Sequence, residues 1–121
     1  MDMKCFVTVP AKTLPGVEFD VMRMTFGRRL ELMTQIRALH QRQEFLEAGE
    51  KPDDRMESAL LSMDLDRIYL EWGFYRLRGL TLDGDEVTAM KLWFCGPEAL
   101  TREVIAAIRA EAGLSEDERK N

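Results

Sequence analysis

The spacing of hydrophobic and polar residues divides the chain into a short β region followed by helices. Residues 3–9 alternate weakly and are rich in β-branched side chains, and residues 17–21 alternate strictly. Two prolines and a glycine lie between them, over residues 10–16. Two alternating segments around such a connection are typical of an antiparallel hairpin. We therefore expect an N-terminal β-hairpin within residues 1–24.

Two long helices are predicted next. Thr25 suits the N-cap of the first helix, and Gly49 suits its C-terminal stop. A short connection over residues 50–54, with Pro52, leads to the second helix, which extends to about Trp72. Because the connection is short, the two helices are expected to form an antiparallel pair.

Each long helix carries two apolar stripes when its residues are placed at about 100° per residue. In the first helix the stripes are Phe26, Leu30 and Met33, and Leu32, Ile36, Leu39 and Leu46. In the second helix they are Met56, Ala59, Leu60, Met63 and Leu70, and Leu61, Leu65, Ile68 and Trp72. The buried face of the first helix is expected to shift along its length, whereas the second helix, apolar on two sides, is expected to pack between two partners.

The last third of the chain has complete local signals. Asp83–Gly84 predicts the tight turn of a small second hairpin within residues 77–88, and Thr88 caps a short helix that extends to Phe94. A final helix over residues 97–112 begins at Pro97 and stops at Gly113. These elements predict a mainly α fold: a bundle of three to four helices with an N-terminal β-hairpin and a small second hairpin. The expected domain covers residues 1–114, and residues 115–121 form a polar tail.

Composition narrows the possible functions. The 121 residues suit one folded domain, with 45% hydrophobic and 32% charged side chains. A net charge of −5 disfavours binding to nucleic acid, which depends on neutralising several phosphates. The apolar runs are too short to span a bilayer, and residues 1–12 lack the apolar core of a signal peptide. The sequence therefore predicts a cytoplasmic protein that binds neither membranes nor nucleic acid.

The residues that carry most enzyme chemistry are scarce. His40 is the sole histidine, and its place near Met33 and Ile36 predicts a partly buried structural role. Cys5 and Cys95 lack the paired spacing of zinc or redox motifs, so we expect two reduced thiols in the core. No glycine-rich phosphate loop is present. We expect no catalytic, metal or cofactor site, and hence no enzyme.

One regular feature is a line of acidic residues on the second long helix. Glu57, Asp64 and Glu71 recur every seven residues, so successive carboxylates lie about 10 Å apart along one face. The line is interpreted either as a solvated face or as a docking stripe for a basic partner. Eight methionines add adaptable apolar side chains, which serve core packing or the recognition of varied partners.

Three stretches carry a family resemblance. They are Met24-Thr25-Phe26-Gly27-Arg28-Arg29-Leu30-Glu31-Leu32, then Gly79 to Gly84, then Gly96-Pro97-Glu98 through Gly113-Leu114-Ser115 to Lys120-Asn121. In these stretches, and in its layout over residues 17–121, the chain resembles the tail assembly chaperones of long-tailed phages and prophages.

The resemblance implies a small, helical, non-enzymatic protein of the bacterial host cytoplasm. Its partners would be the tape-measure protein and the tail-tube protein, with a homo-oligomer also possible and no cofactor. The expected contact surface combines Phe26, Arg28 and Arg29 at the start of the first long helix with Glu57, Asp64 and Glu71 on the second.

Two alternatives stay open. One is a structural or connector subunit retained in the phage particle, and the other is a small nucleic-acid-binding regulator that uses Arg28, Arg29, Arg37 and Arg42.

Overall fold

The computed structural model describes residues 1–48, 52–114 and 118, and these residues form a mainly α fold with a minor β component. In chain order, the elements are strands β1 (Phe6–Pro10) and β2 (Glu18–Met22), helices α1 (Phe26–Glu47) and α2 (Pro52–Gly73), strand β3 (Phe74–Arg78), and helices α3 (Ala89–Cys95) and α4 (Glu98–Ala112). The predicted fold class and the N-terminal β-hairpin are confirmed.

The fold comprises two compact units. Unit 1 contains Met1–Met24 and Tyr69–Gly113, and unit 2 contains Thr25–Ile68 and the chain from Leu114 onward. Helix α2 contributes residues to both. The predicted single domain over residues 1–114 stays a prediction. The expected helix stop at Gly49 and, apart from Glu118, the polar tail at 115–121 lie outside the described residues.

Unit 1 is built on a three-stranded antiparallel sheet with the order β1-β2-β3. Thr8 on β1 and Arg76 on β3 are both register partners of Asp20 on β2. The sequence had predicted only the first two strands here and a separate hairpin over residues 77–88. That hairpin is reduced to one bridge, between Leu82 and Asp85, around a turn in which Asp83 and Gly84 have φ values of 54° and 77°.

The core of unit 1 lies between the sheet and helix α4. Phe19 and Val21 on β2 are buried, and α4 contacts this strand. The buried apolar side chains of α4 are Leu100, Val104, Ile105, Ile108 and Ala112. The helix ends as predicted at Gly113, whose φ of 56° is left-handed and whose N–H donates to the carbonyl of Arg109.

The opposite face of β2 carries a buried carboxylate, because side chains alternate across a strand. Asp20 is 0% exposed. It accepts hydrogen bonds from Thr8 Oγ1 at 2.6 Å, from Arg76 Nε at 2.6 Å and from both terminal nitrogens of Arg78 at 2.8 and 3.0 Å. Arg78 Nε also donates to Glu18 at 2.7 Å. One carboxylate therefore binds side chains from both neighbouring strands.

This arrangement fixes the charge state of Asp20. The hydrogen bonds from Arg78 hold the pKa of Asp20 well below its usual range; burial opposes this, while Thr8 and Arg76 reinforce it. Asp20 and Glu18 in turn raise the pKa of the Arg78 guanidinium. The Asp20 carboxylate is thus fully ionised at neutral pH.

Unit 2 is dominated by α1 and the first part of α2. Thr25 caps α1 as predicted, since its side chain accepts a hydrogen bond from the Arg28 N–H at 3.2 Å. Arg42 of α1 and Glu57 of α2 form an ion pair at 2.7 Å. Arg42 lies five residues before the end of α1, and Glu57 lies five residues after the start of α2. Such symmetric spacing about the connection is typical of an antiparallel helix pair.

Replacing Asp20 tests the role of the buried carboxylate. Asp20→Asn keeps the shape but removes the charge that both arginines bind, so we expect the free energy of unfolding to fall by about 2 kcal/mol in urea titrations. Glu18→Gln is the matched control, because Glu18 contacts the same Arg78 but is half exposed. Its expected cost is below about 0.5 kcal/mol. Equal costs for the two variants would contradict the assignment.

The pH dependence follows from the lowered pKa. The unfolded Asp20 carboxyl takes up a proton near pH ~4, whereas the folded one resists protonation to lower pH. Its stabilising contribution is therefore complete above about pH 4 and is lost progressively as the pH falls below that value. The wild type should lose stability more steeply than Asp20→Asn on this acid side, as measured by unfolding at a series of pH values.

Gly79 tests a close backbone approach in the same unit. Its φ is +93°, and a Cβ at this position would collide with the carbonyl oxygen of Gly16. Gly79→Ala should cost about 2–3 kcal/mol, read from thermal and urea unfolding. Gly84→Ala is the control, because Gly84 has a φ of +77° but a Cβ there would meet no atom within 4 Å. It should cost about 1 kcal/mol, and a larger loss for Gly84→Ala would contradict the steric argument.

Candidate partner-binding surface

Large apolar side chains are exposed on both helices of unit 2. With their exposed fractions, they are Phe26 (95%), Leu30 (68%) and Phe45 (75%) on α1, and Met56 (68%), Leu60 (58%) and Met63 (56%) on α2. Isolated exposed apolar residues are normal on a protein surface, but groups of them mark interaction sites. These two helices are therefore the first candidates for a partner-binding surface.

Each helix buries one of its two predicted stripes and exposes much of the other. On α1, Leu32, Ile36 and Leu46 are buried, whereas Phe26 and Leu30 are exposed. On α2, the side with Leu61, Leu65 and Trp72 is buried, and the other side is exposed from Met56 to Met63, although Leu70 farther along is buried. The expectation that α2 packs between two partners is therefore wrong for its first half within the described residues.

The exposed residues of α2 form a regular pattern. Met56, Leu60 and Met63, which we call the α2 strip, are separated by four and then three residues, so they lie on one line of the helix. That line is opposite Leu61 and Leu65, which are buried. The strip therefore faces away from the core of its unit.

The predicted contact residues at the start of α1 are only partly available. Phe26 is the first residue of the helix and is almost fully exposed. Arg28 is 3.6 Å from Glu31, and Arg29 binds Glu118 at 2.8 Å. The aromatic ring is thus open to a partner, while both arginines have acidic neighbours in their own chain.

The acidic line of α2 is divided between the units. Glu57 and Asp64 belong to unit 2, and Glu71 belongs to unit 1. Glu57 is bound by Arg42 at 2.7 Å, and Asp64 is 3.8 Å from Arg67. Asp64 and Glu71 are exposed and Glu57 is half exposed. The role of the line in docking stays a prediction.

The arginines of the nucleic-acid alternative interact with acidic residues of the same unit. Arg28 contacts Glu31, Arg29 and Arg37 both contact Glu118, and Arg42 binds Glu57; the Arg37 bond is to the Glu118 carbonyl at 3.4 Å. Phosphate binding needs cationic groups that are free to replace counterions. This arrangement counts against the regulator hypothesis.

His40 and the two cysteines are the residues that the sequence singled out for enzyme chemistry. His40 is half-buried, in agreement with its predicted structural position. Cys5 and Cys95 are both exposed free thiols, so the expectation of two core cysteines is wrong. They lie just outside β1 and at the end of α3, where the core does not reach them. Among the described residues, no group of three or more His, Cys, Asp or Glu side chains could hold a metal ion.

A surface cavity of about 560 Å³ lies in unit 1, lined by Lys4, Phe6, Tyr75 and Arg76 among others. The Arg76 guanidinium lies over both aromatic rings, 4.8 Å from the centre of Phe6 and 5.0 Å from that of Tyr75. The same guanidinium binds Asp20. The stacking of Arg76 on the two rings and its ion pair with Asp20 explain this cluster as a structural part of the sheet.

Comparisons with known proteins add no relative. No protein-family model, curated protein or solved structure matches this chain. In the described part of the chain, no helix has both the length and the apolar content needed to cross a membrane. A functional proposal therefore depends on the chain's own surface chemistry and on the family resemblance of its sequence.

Sequence reasoning missed the α2 strip as a binding surface, although its residues stood in one of the predicted stripes. The spacing of Met56, Leu60 and Met63 was visible, but spacing alone does not tell a buried stripe from an exposed one. Phe45 was missed because it lies outside both stripes of α1. No signal in the sequence marks it.

Proposed function

We propose that this protein is a non-enzymatic phage tail assembly chaperone that binds the tape-measure protein, the tail-tube protein or both in the bacterial cytoplasm. The observation that carries the proposal is the set of exposed apolar side chains on α1 and α2, namely Phe26, Leu30 and the α2 strip. Folding leaves these side chains in water, so covering them with another polypeptide lowers the free energy. The resemblance to tail assembly chaperones supplies the identity of that polypeptide.

Such a chaperone acts by mass action and uses no nucleotide or cofactor. A client that exposes apolar helices before assembly is held soluble while the chaperone covers them. Binding stabilises the soluble form of the client by RT ln(1 + [L]/Kd), where [L] is the concentration of free chaperone. This amounts to about 2.7 kcal/mol when [L] is roughly a hundred times Kd. Polymerising tail proteins then compete for the same client surface and displace the chaperone.

Two further observations support a protein-binding role. Arg28, Arg29 and Arg42 have acidic partners, which favours the chaperone over the regulator hypothesis. Met56 and Met63 are unbranched and polarisable, and such side chains adapt to partners of varied shape.

The test is co-expression with the tape-measure and tail-tube proteins encoded in the same phage or prophage. We expect one of them to be kept soluble and to co-purify with the wild type. Met56→Gln/Leu60→Gln/Met63→Gln should reduce the captured protein at least about tenfold, since three exposed apolar contacts are lost. Because these side chains are already exposed, the free energy of unfolding should change by no more than about 0.5 kcal/mol per site.

Met90→Gln/Phe94→Gln is the matched control, because these α3 residues of unit 1 are 61% and 70% exposed and lie off the α2 strip. This variant should capture its client as the wild type does. Failure of both tail proteins to bind the wild type would refute the proposal. Mass spectrometry of purified particles separates the remaining alternative, since a chaperone is absent from them and a structural subunit is present.

A further inference from the structure

We propose that the α2 strip binds a basic amphipathic helix of the client through coiled-coil packing. The inference rests on the proposed function and specifies the chemistry of the partner. Two features carry it: the spacing of the exposed apolar residues of α2 and the charges beside them.

The spacing fits a coiled-coil seam. Such seams have apolar residues alternately three and four positions apart, at the a and d sites of a heptad. Met56, Leu60 and Met63 satisfy this as d, a and d, and all three side chains are more than half exposed. Arg67 takes the next a position and ends the strip. About one and a half heptads are therefore open to a partner helix.

The charges beside the seam are acidic. Glu57 and Asp64 occupy the e sites, and the g sites are Ala59 and Asp66. In coiled coils, residues at e and g face the partner's g and e residues and determine which helices pair. Glu57 already binds Arg42 at 2.7 Å, so a partner with lysine or arginine at the matching sites gains its favourable ion pairs chiefly at Asp64, on the e side of the seam.

The same charges disfavour a second copy of this chain as the occupant. Two α2 strips packed antiparallel would bring the acidic e residues of one copy against the acidic e residues of the other, and two packed in parallel would bring Arg67 of one copy against Arg67 of the other at the a site. Like charges at these positions oppose pairing. Asp64 is 3.8 Å from Arg67, but an exposed pair of that length is weak and leaves the carboxylate able to bind a cation.

The short seam contacts about one and a half heptads of a partner helix, which predicts modest affinity. Several chaperone molecules can then cover successive heptads of one long client helix. Apolar seam residues supply the binding energy, while the basic flanks select the partner.

Two synthetic coiled-coil peptides provide the test. Both have leucine at every a and d site; one carries lysine and the other glutamate at every e and g site. We expect the lysine peptide to bind the full-length chain at least about tenfold more tightly at low salt, by fluorescence anisotropy, and this preference should shrink at about 0.5 M salt.

Variants assign the binding to the strip. Leu60→Gln should weaken the lysine peptide at least about fivefold, whereas Met90→Gln should not. Asp64→Lys should reduce the preference for lysine over glutamate at least about threefold. Glu47→Lys makes the same charge change on an exposed residue of α1 and should leave the preference unaltered. Asp64→Asn, a smaller change with the same expected direction, replaces Asp64→Lys if that variant unfolds.

The outcomes separate this inference from the proposed function. Capture of a tail protein with equal or no binding of the two peptides overturns the basic-helix inference and leaves the chaperone proposal standing. Preferential binding of the lysine peptide without capture of either tail protein overturns the chaperone proposal and leaves the preference of the α2 strip for a basic helix standing. Equal loss of binding in Leu60→Gln and Met90→Gln also overturns the inference, because the contact would then not be specific to the strip.

Discussion

The carboxylate of Asp20 is the polar centre on which the sheet of unit 1 depends. It lies in the middle strand, is closed off from water, and binds Thr8 on one side and Arg76 and Arg78 on the other. A buried charge is tolerated only when its hydrogen bonds are made, so this contact requires the three strands to keep their register. The apolar face of the same strand packs against α4. Strand β2 therefore contacts both layers of the unit, the sheet through Asp20 and helix α4 through its apolar side chains.

In unit 2 the candidate binding surface is determined by which apolar residues remain exposed to water. The sequence shows two stripes on each long helix, and both are apolar enough to be buried. The choice depends on which elements cover each side, a long-range property that periodicity along one helix does not contain. Leu61 and Leu65 are covered, while Leu60 beside them is not. The residues of the α2 strip could therefore be predicted as an apolar stripe, but their exposure to solvent could not. The ion pairs of the arginines with Glu118 and Glu57 were likewise not predicted.

Local signals in the sequence predicted most of the fold. Thr25 and Thr88 cap helices, Gly113 ends one, and Asp83–Gly84 makes a tight turn, because each acts through atoms a few residues away. Strand β3 was missed because it begins directly after α2 and pairs with a strand more than fifty residues earlier. Its five residues have no alternating pattern strong enough to mark a strand, and pairing with β2 decides their conformation.

The outward placement of Cys5 and Cys95 has a practical consequence for work on this protein. Exposed thiols react with one another between molecules when samples are oxidised by air, and the products are covalently linked copies. Such species migrate as dimers whether or not the folded chains recognise each other. Measurements of molecular mass in solution are meaningful for this chain only under reducing conditions. The same two sulfurs also offer attachment points for spectroscopic labels on unit 1 without any substitution.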